Sequence, residues 1–559
     1  MRVVSRLVVL PIAAALSVAV SAPMASAVSV ASPQVIRFHG GGYDSVGAIV
    51  VDAQGNTILA GSTESANNNI TFSVTKLNRL GELVWRRAYS GARGGVGGRA
   101  EAVTVDAAGN VYAAGTISNG AIFGANIDAL VVKLGPDGVE RWAQRYDGPA
   151  GGFDQATEAV LDRAGALYIS GRSQGSGFDW VTQRYSTDGT PQWTRRLGGP
   201  ASADDEVGDV VLAPNGNVVV AGVTKNLGDG VTNDIEIVMY DPQGAVAWQR
   251  RWSDTPASHE TVRDMDIAAD GRIAVTGSSA RTASPEFGVP LPITAWYDAS
   301  GALLQATRTG GDAVDNDANG STYVVGSFRD MPQVSTIAKY SPGGSLDWAT
   351  PLVAGLSQSL SITAIAVDAF GMITVAGDVS NVTTLNRDFL TIRFAADGRE
   401  LWRHQFNGTG NGEDRVAGLV VDGENTALVA GTSWSNSVSS GGTADDMVTL
   451  RFPAGVTPPS NPPASLTAPT QLTVSSPSRS QIRLNWKDNS AAEAGFRVER
   501  CRGSGCANLT QVAVLGPDVV TYLDSALVRN TTYTYRVRAF NADDASAFSN
   551  TAMARTRSS

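Results

Sequence analysis

Two recurring sets of acidic residues are the chemistry-bearing positions that stand out in the 559-residue chain. Asp44, Asp154, Asp205, Glu260 and Asp414 stand just before one type of strand pattern, and Asp128, Asp179, Asp234, Asp388 and Asp446 just before another. Acids repeated this way have two uses. Each accepts a backbone N–H in its own loop, as Asp does in turns, or together they form an acidic mouth that attracts cations, Ca2+ above all, or hydroxyl-rich ligands. A hard cation needs several converging oxygens, and repetition around a closed array spreads carboxylates apart, so equivalence favours the loop role. The nearest approach to a calcium loop, Asp312 to Gly320, leaves an Asp-x-Asn-Gly remnant on a hairpin turn and lacks the bidentate Glu. No metal site is assigned, and Ca2+ at the acidic mouth stays the one cofactor to consider.

Catalytic constellations are harder to find. The three histidines, His39, His259 and His404, fall in different repeats and form no local zinc motif. No Gly-x-Ser-x-Gly elbow lies between a strand and a helix pattern. Spacing alone selects no pair of catalytic carboxylates, so no catalytic residue is assigned.

The elements that would position these acids recur along the chain. Each unit starts with an alternating strand and a tight turn, as in Ala48 to Asn56, followed by a second strand, Thr57 to Ser62. A variable polar loop leads to a third strand, Phe72 to Leu77, and a Gly turn to a fourth, Leu83 to Tyr89. With Asp52 as ruler the equivalents are Asp106, Asp162, Ala213, Ala268, Asp317, Asp368 and Asp422, at spacings of 49 to 56 residues. That is close to the period of four-stranded propeller blades, which cannot bury both faces alone and must stack. Gly-x-x-x-Trp recurs in the fourth strands as Gly81/Trp85, Gly138/Trp142, Gly189/Trp193, Gly244/Trp248, Gly344/Trp348 and Gly398/Trp402. Equivalence favours packing of these indoles between neighbouring blades over a ring of sugar-stacking aromatics. Repeats five and six depart from the pattern, with Gln305 in place of Trp.

The eighth repeat stops after its third strand, Met447 to Phe452, while Gln34 to Gly41 matches the end of a fourth strand. The N-terminal segment is therefore expected to complete the last blade and leave no open edge. The fold expected is all-β: an eight-bladed β-propeller over 28–452, a Pro/Ser/Thr-rich linker over 453–469, and a β-sandwich over 470–557.

Residues 1–27 read as a signal peptide, with Arg2 and Arg6, an apolar run from Leu7 to Val20, and Ala25-Ser26-Ala27 for cleavage after Ala27. No later run is long and apolar enough for a spanning helix. The two cysteines, Cys501 and Cys506, flank a Gly-rich turn in an exported chain, which predicts a hairpin disulfide; a metal site there would need more Cys or His. Formal charge is −10, and no basic stripe is present, which argues against nucleic acid and anionic membranes.

In the C-terminal segment, Trp486 and the run Leu527 to Asn541 with Tyr533 resemble a fibronectin type III domain, Trp486 matching its core tryptophan and Tyr533 its corner tyrosine. Motifs such as Val105-Asp106-Ala107-Ala108-Gly109-Asn110-Val111-Tyr112 resemble SBBP-type bacterial β-propeller repeats over most of 34–452. That resemblance implies a secreted or surface-exposed scaffold and no particular activity. The expected function is non-catalytic binding of a glycan or an envelope or extracellular protein by a monomer, through loops such as 224–233, 280–292 and 433–445 on one face of the propeller. An exported enzyme is the alternative, either a glycoside hydrolase or lyase or a quinone-dependent dehydrogenase. The latter class also repeats Gly-x-x-x-Trp, but many of its members carry an adjacent Cys-Cys pair that this chain lacks.

Overall fold

The structure is a computed structural model that describes residues 33–558 except 41, 65–68, 92–96, 120–125, 199–203, 226–231, 256–257, 282–289, 329–330, 353–357, 382–385, 436–443, 454–466, 491–492, 494, 507, 517–518 and 541–545. The expected signal peptide and most of the expected linker lie outside the described residues, as do the larger parts of the three variable loops. The chain divides into two compact units, within 30–457 and 458–559.

The first unit is built from strands whose burial follows their place in the sheet. It begins with β1 (Gln34–Phe38), β2 (Ser45–Val51), β3 (Thr57–Glu64), β4 (Ile70–Leu77) and β5 (Leu83–Tyr89). The β-branched sequences of β3 and β4 are buried at nearly every position, as strands covered on both faces must be, whereas β5 is largely exposed. Strands β2 to β5 form sheet one in sequential antiparallel order. Six more sheets of the same order follow over 98–146, 154–197, 206–252, 258–307, 309–351 and 358–406. Sheet eight takes three strands from 414–452 and its fourth from β1. There β1 pairs antiparallel with Ala444–Phe452, Gln34 opposite Arg451 and Phe38 opposite Met447.

Tight turns set the repeat. Asp52 Oδ1 accepts the N–H groups of Gln54 and Asn56 at 3.0 and 2.9 Å, and Asp106, Asp162, Asp317, Asp368 and Asp422 hold their turns the same way. A β-bulge interrupts the pairing of first and second strands in all eight sheets, which adds local twist. Each first strand packs on the first strand of the following sheet, and that of sheet eight packs on β2.

The fourth strands link neighbours by indole on glycine. Gly138 has φ +73°, and a Cβ built there would stand 2.6 Å from the indole of Trp85. Trp142 lies on Gly189, Trp193 on Gly244, Trp248 on Gly301 and Trp348 on Gly398 in the same way. Four of the indole N–H groups donate to a carbonyl of the same turn, as Trp85 does to Pro136 at 2.9 Å. Gln305 takes the indole's place against Gly344, and Ile36 of β1 takes it against Gly81. Trp402 stacks on Phe452, with ring centroids 4.8 Å apart.

The second unit has a three-stranded sheet (Thr470–Ser478, Gln481–Lys487, Thr521–Asp524) and a four-stranded one (Thr510–Leu515, Gly495–Arg502, Thr532–Phe540, Ala552–Arg555). Trp486, Phe496 and Tyr535 fill the core between them. The Tyr533 hydroxyl accepts the Val528 N–H at 3.0 Å, fastening the preceding turn. Cys501 and Cys506 are disulfide-bonded. No helix among the described residues is long and apolar enough to cross a membrane.

Candidate functional site

The acids of the first set are built into loops rather than displayed. Asp44 and Asp205 precede their first strands, Asp154 and Asp414 open theirs, and Glu260 lies two residues inside. All five are buried. Gly148 donates its N–H to Asp154 at 2.7 Å, Gly408 to Asp414 at 2.6 Å, Lys225 to Asp205 at 2.8 Å, and Gly40 to Asp44. Glu260 receives the Ser279 hydroxyl at 3.0 Å. Burial pushes Asp44 up to about 6, and raises Glu260 and Asp414 as well, against the lowering effect of these donors.

The second set lies at the starts of third strands, where fourth-strand side chains reach it. Arg196 meets Asp179 at 2.8 Å, Arg251 meets Asp234 at 3.6 Å, Arg37 meets Asp446 at 3.6 Å, Arg145 meets Asp128 at 3.8 Å, and Gln405 donates to Asp388 at 2.5 Å. These partners occupy one position, the residue before the last of each fourth strand. Their recurrence, Arg37-Phe38, Arg145-Tyr146, Arg196-Leu197, Arg251-Trp252 and Gln405-Phe406, is the sequence signal for the pairing. Burial raises Asp128 and Asp388, with Asp147 adding to the effect at Asp128. Of the ten acids, Asp44 and Asp446 are brought together with a third ligand type, His39.

A second group of carboxylates comes from the first strands themselves. Glu158, Asp209 and Asp264 occupy one position, four residues before the ruler, in three consecutive sheets. Asp209 accepts the Met265 N–H at 2.9 Å and Asp264 the Val314 N–H at 2.8 Å, each clasping the next sheet; Asp315 does the same to Val367 at 2.6 Å. Desolvation holds Asp209 and Asp264 well above the usual carboxylate range; the Glu158 charge adds to the effect at Asp209, and the Asp209 charge at Asp264. Glu158 is pushed up to about 8 by burial, then by Asp264 and Glu101. An acid four residues before the ruler position, three repeats running, is the signal that points to this group.

Open surface with site-like chemistry lies where the starts of the first strands of sheets eight, one and two meet Asn386, which precedes the third strand of sheet seven. A cavity of about 720 Å3 is lined there by Arg99, Asn386, Glu413, Arg415, Trp434 and Asp445, together with Val46 and Gly47. Trp434 is the last residue but one of the second strand of sheet eight, and its indole rests on a glycine loop: Cβ atoms at Gly410 and Gly412 would stand 2.3 and 2.5 Å from it. The loop is fixed by Gly410 N–H to Trp434 C=O at 3.1 Å, and Trp434 N–H to Asp414 Oδ1 at 3.1 Å. Arg415 pairs with Glu413 at 2.6 Å, Arg99 with Glu101 at 3.1 Å, and Asn386 donates to the Asn411 carbonyl at 2.9 Å. Arg415 and Glu413 are about half exposed. Burial and the adjacent Asp446 raise Asp445. A half-buried indole among charged and amide groups suits a ligand with apolar faces and a fringe of hydroxyls. Trp434 has no counterpart in the other repeats and was not singled out by the sequence; it falls in the variable stretch 433–445.

No family model matches the chain, and no curated protein does. Among solved structures, an Fn3-like protein from Clostridium thermocellum is similar at 23% identity, over 16% of this chain and 92% of that one, with a TM-score of 0.15. A structure of titin kinase and its flanking domains is similar at 23% identity over 16% of this chain, which spans 17% of that one, with a TM-score of 0.15. A protein of unknown function from Bacteroides caccae is similar at 13% identity over 49% of this chain and 85% of that one, with a TM-score of 0.29.

Proposed function

We propose that the chain is a secreted, non-catalytic binding protein: an eight-bladed β-propeller, closed by its N-terminal strand and carrying a fibronectin-type-III module, that recognises a glycan at the Trp434 cavity. The propeller reading is supported by eight four-stranded sheets whose first strands contact one another in cyclic order, and by the pairing of β1 with Ala444–Phe452. Export is supported by the leader-like pattern of residues 1–27 and by the disulfide. The observation that carries the ligand class is Trp434 lying on glycines in an open cavity fringed by Arg99, Asn386, Glu413 and Arg415. An indole offers a flat face to the C–H side of a sugar ring, and planar amide, guanidinium and carboxylate groups bridge neighbouring hydroxyls. An envelope or extracellular protein is the other partner this surface suits. Binding needs no metal or organic cofactor.

A glycan array probed with chain 28–559 tests this. Binding of a defined glycan class is expected, with at least a tenfold loss in Trp434→Ala and no loss in Trp142→Phe. No glycan bound, or a glycan bound equally by Trp434→Ala, contradicts it. The enzymatic reading draws on one observation, the raised Glu158 beside Asp264. Polysaccharide cleavage that Glu158→Gln abolishes would favour it, although Asp209 and Asp264 are already engaged with backbone N–H groups.

A further inference from the structure

Beside that cavity, the turn between β1 and β2 gathers three potential ligands from distant parts of the chain. His39 follows β1, Asp44 precedes β2, and Asp446 lies in Ala444–Phe452, 407 residues from His39. One donor atom of each lies within 4.8 Å of the other two, and His39 Nδ1 is 2.8 Å from Asp446 Oδ1. A second observation concerns Asp44 itself. Its side chain is fully buried, Oδ2 accepts the Gly40 N–H, and Oδ1 is buried with no hydrogen-bond partner among the described residues. A buried carboxylate oxygen without a donor is unfavourable and calls for a counter-charge. The Asp44 N–H is held by the Asp445 carbonyl at 3.0 Å, so the carboxylate is set by backbone on both sides of the junction.

We propose that His39, Asp44 and Asp446 bind one divalent cation of the Zn2+ type. One imidazole nitrogen with two carboxylate oxygens suits a borderline metal, whereas Ca2+ takes six or more oxygens. Three protein ligands leave a position for water, and the His39 side chain, 34% exposed, opens the way in. Arg37, 3.6 Å from Asp446 Oδ2, and Arg86 near Gly40 oppose the added charge, so affinity is moderate rather than extreme. Because the ligands come from both ends of the first unit, the ion fastens β1 to sheets eight and one, and its binding stabilises the closed form.

Chain 28–559, stripped with a chelator, is titrated with ZnCl2 by calorimetry while thermal unfolding is followed in parallel. One Zn2+ per chain is expected, with a Tm that rises with Zn2+ concentration and no comparable effect of Ca2+. His39 lies outside the strands, so His39→Gln keeps the metal-free Tm and loses at least tenfold in Zn2+ affinity. Asp44→Asn is the independent arm and loses the Zn2+-dependent rise in Tm. Absence of stoichiometric Zn2+ binding by the wild-type chain, or unchanged binding by both variants, overturns the proposal.

Discussion

The indole of Trp85 lies on Gly138, the glycine that begins the Gly-x-x-x-Trp motif of the next sheet. The motif is therefore two halves of a contact repeated across sheet boundaries: Gly138, Gly189, Gly244 and Gly398 each make room for the previous tryptophan, whereas Gly81 meets Ile36, Gly344 meets Gln305 and Trp402 stacks on Phe452. Gly138 is needed twice over, for its φ of +73° and for its missing Cβ. Gly138→Ala is expected to cost about 3 kcal/mol, from left-handed strain plus overpacking. Gly216, with φ +87° and open space around the would-be Cβ, isolates the first part, and Gly216→Ala should cost roughly 1–2 kcal/mol. Urea midpoints with unchanged slopes measure both. Equal costs would mean that the indole contact contributes nothing.

Arg251 reaches two neighbouring strands at once. It meets Glu236 at 3.0 Å and Asp234 at 3.6 Å, and donates to the Lys225 carbonyl at 3.0 Å. Both carboxylates are nearly inaccessible, 5% and 6% exposed, so removing the cation strands them. Arg251→Met is expected to destabilise the fold by about 3 kcal/mol, near the lower bound for breaking a buried pair. The triple variant Arg251→Met/Asp234→Asn/Glu236→Gln should recover most of that loss in the same unfolding assay.

Glu158 predicts a pH dependence. Its pKa in the fold is pushed up to about 8 by burial and the nearby Asp264 and Glu101, against an ordinary 4.5. The folded chain therefore holds this proton more tightly than the unfolded one. Its stabilising effect is full below the ordinary value and is lost as pH rises through about 8. Glu158→Gln, which keeps the neutral form at every pH, should raise Tm at pH 8.5 and leave it almost unchanged at pH 4.5. A variant that lowers Tm equally at both would show that the carboxyl is not strained by its neighbours.

Much of the first unit is legible in the chain because local chemistry repeats it. Asp52 and its equivalents announce hairpins whose Oδ1 caps two N–H groups, and the fourth-strand tryptophans mark sheet boundaries. The pairing of 34–38 with 447–452 is readable because an orphan fourth strand at one end matches a missing one at the other. The site is less legible. Acids that look like a solvent-facing mouth in one dimension are mostly buried, since a loop carboxylate and a ligand-facing one share the same spacing and differ only in which N–H groups surround them. Trp434 escapes notice because it repeats nothing, and its meaning depends on residues 45–47, 99 and 386 that the fold brings beside it. The clasping acids Asp209 and Asp264 read as strand alternation until the next sheet supplies the N–H they hold.

The junction between sheets eight and one underlies the cavity, the proposed cation site and the packing of Ile36 on Gly81 alike. Arg79 of sheet one and Glu424 of sheet eight form an exposed pair at 2.8 Å, 345 residues apart in the chain. Spin labels on Arg79→Cys and Glu424→Cys, with Cys501 and Cys506 held in their disulfide, read that junction directly by electron–electron distance measurement. A single, narrow distance between adjacent labels is the predicted result. A broad distribution at several nanometres, with the two ends of the array apart, would contradict it.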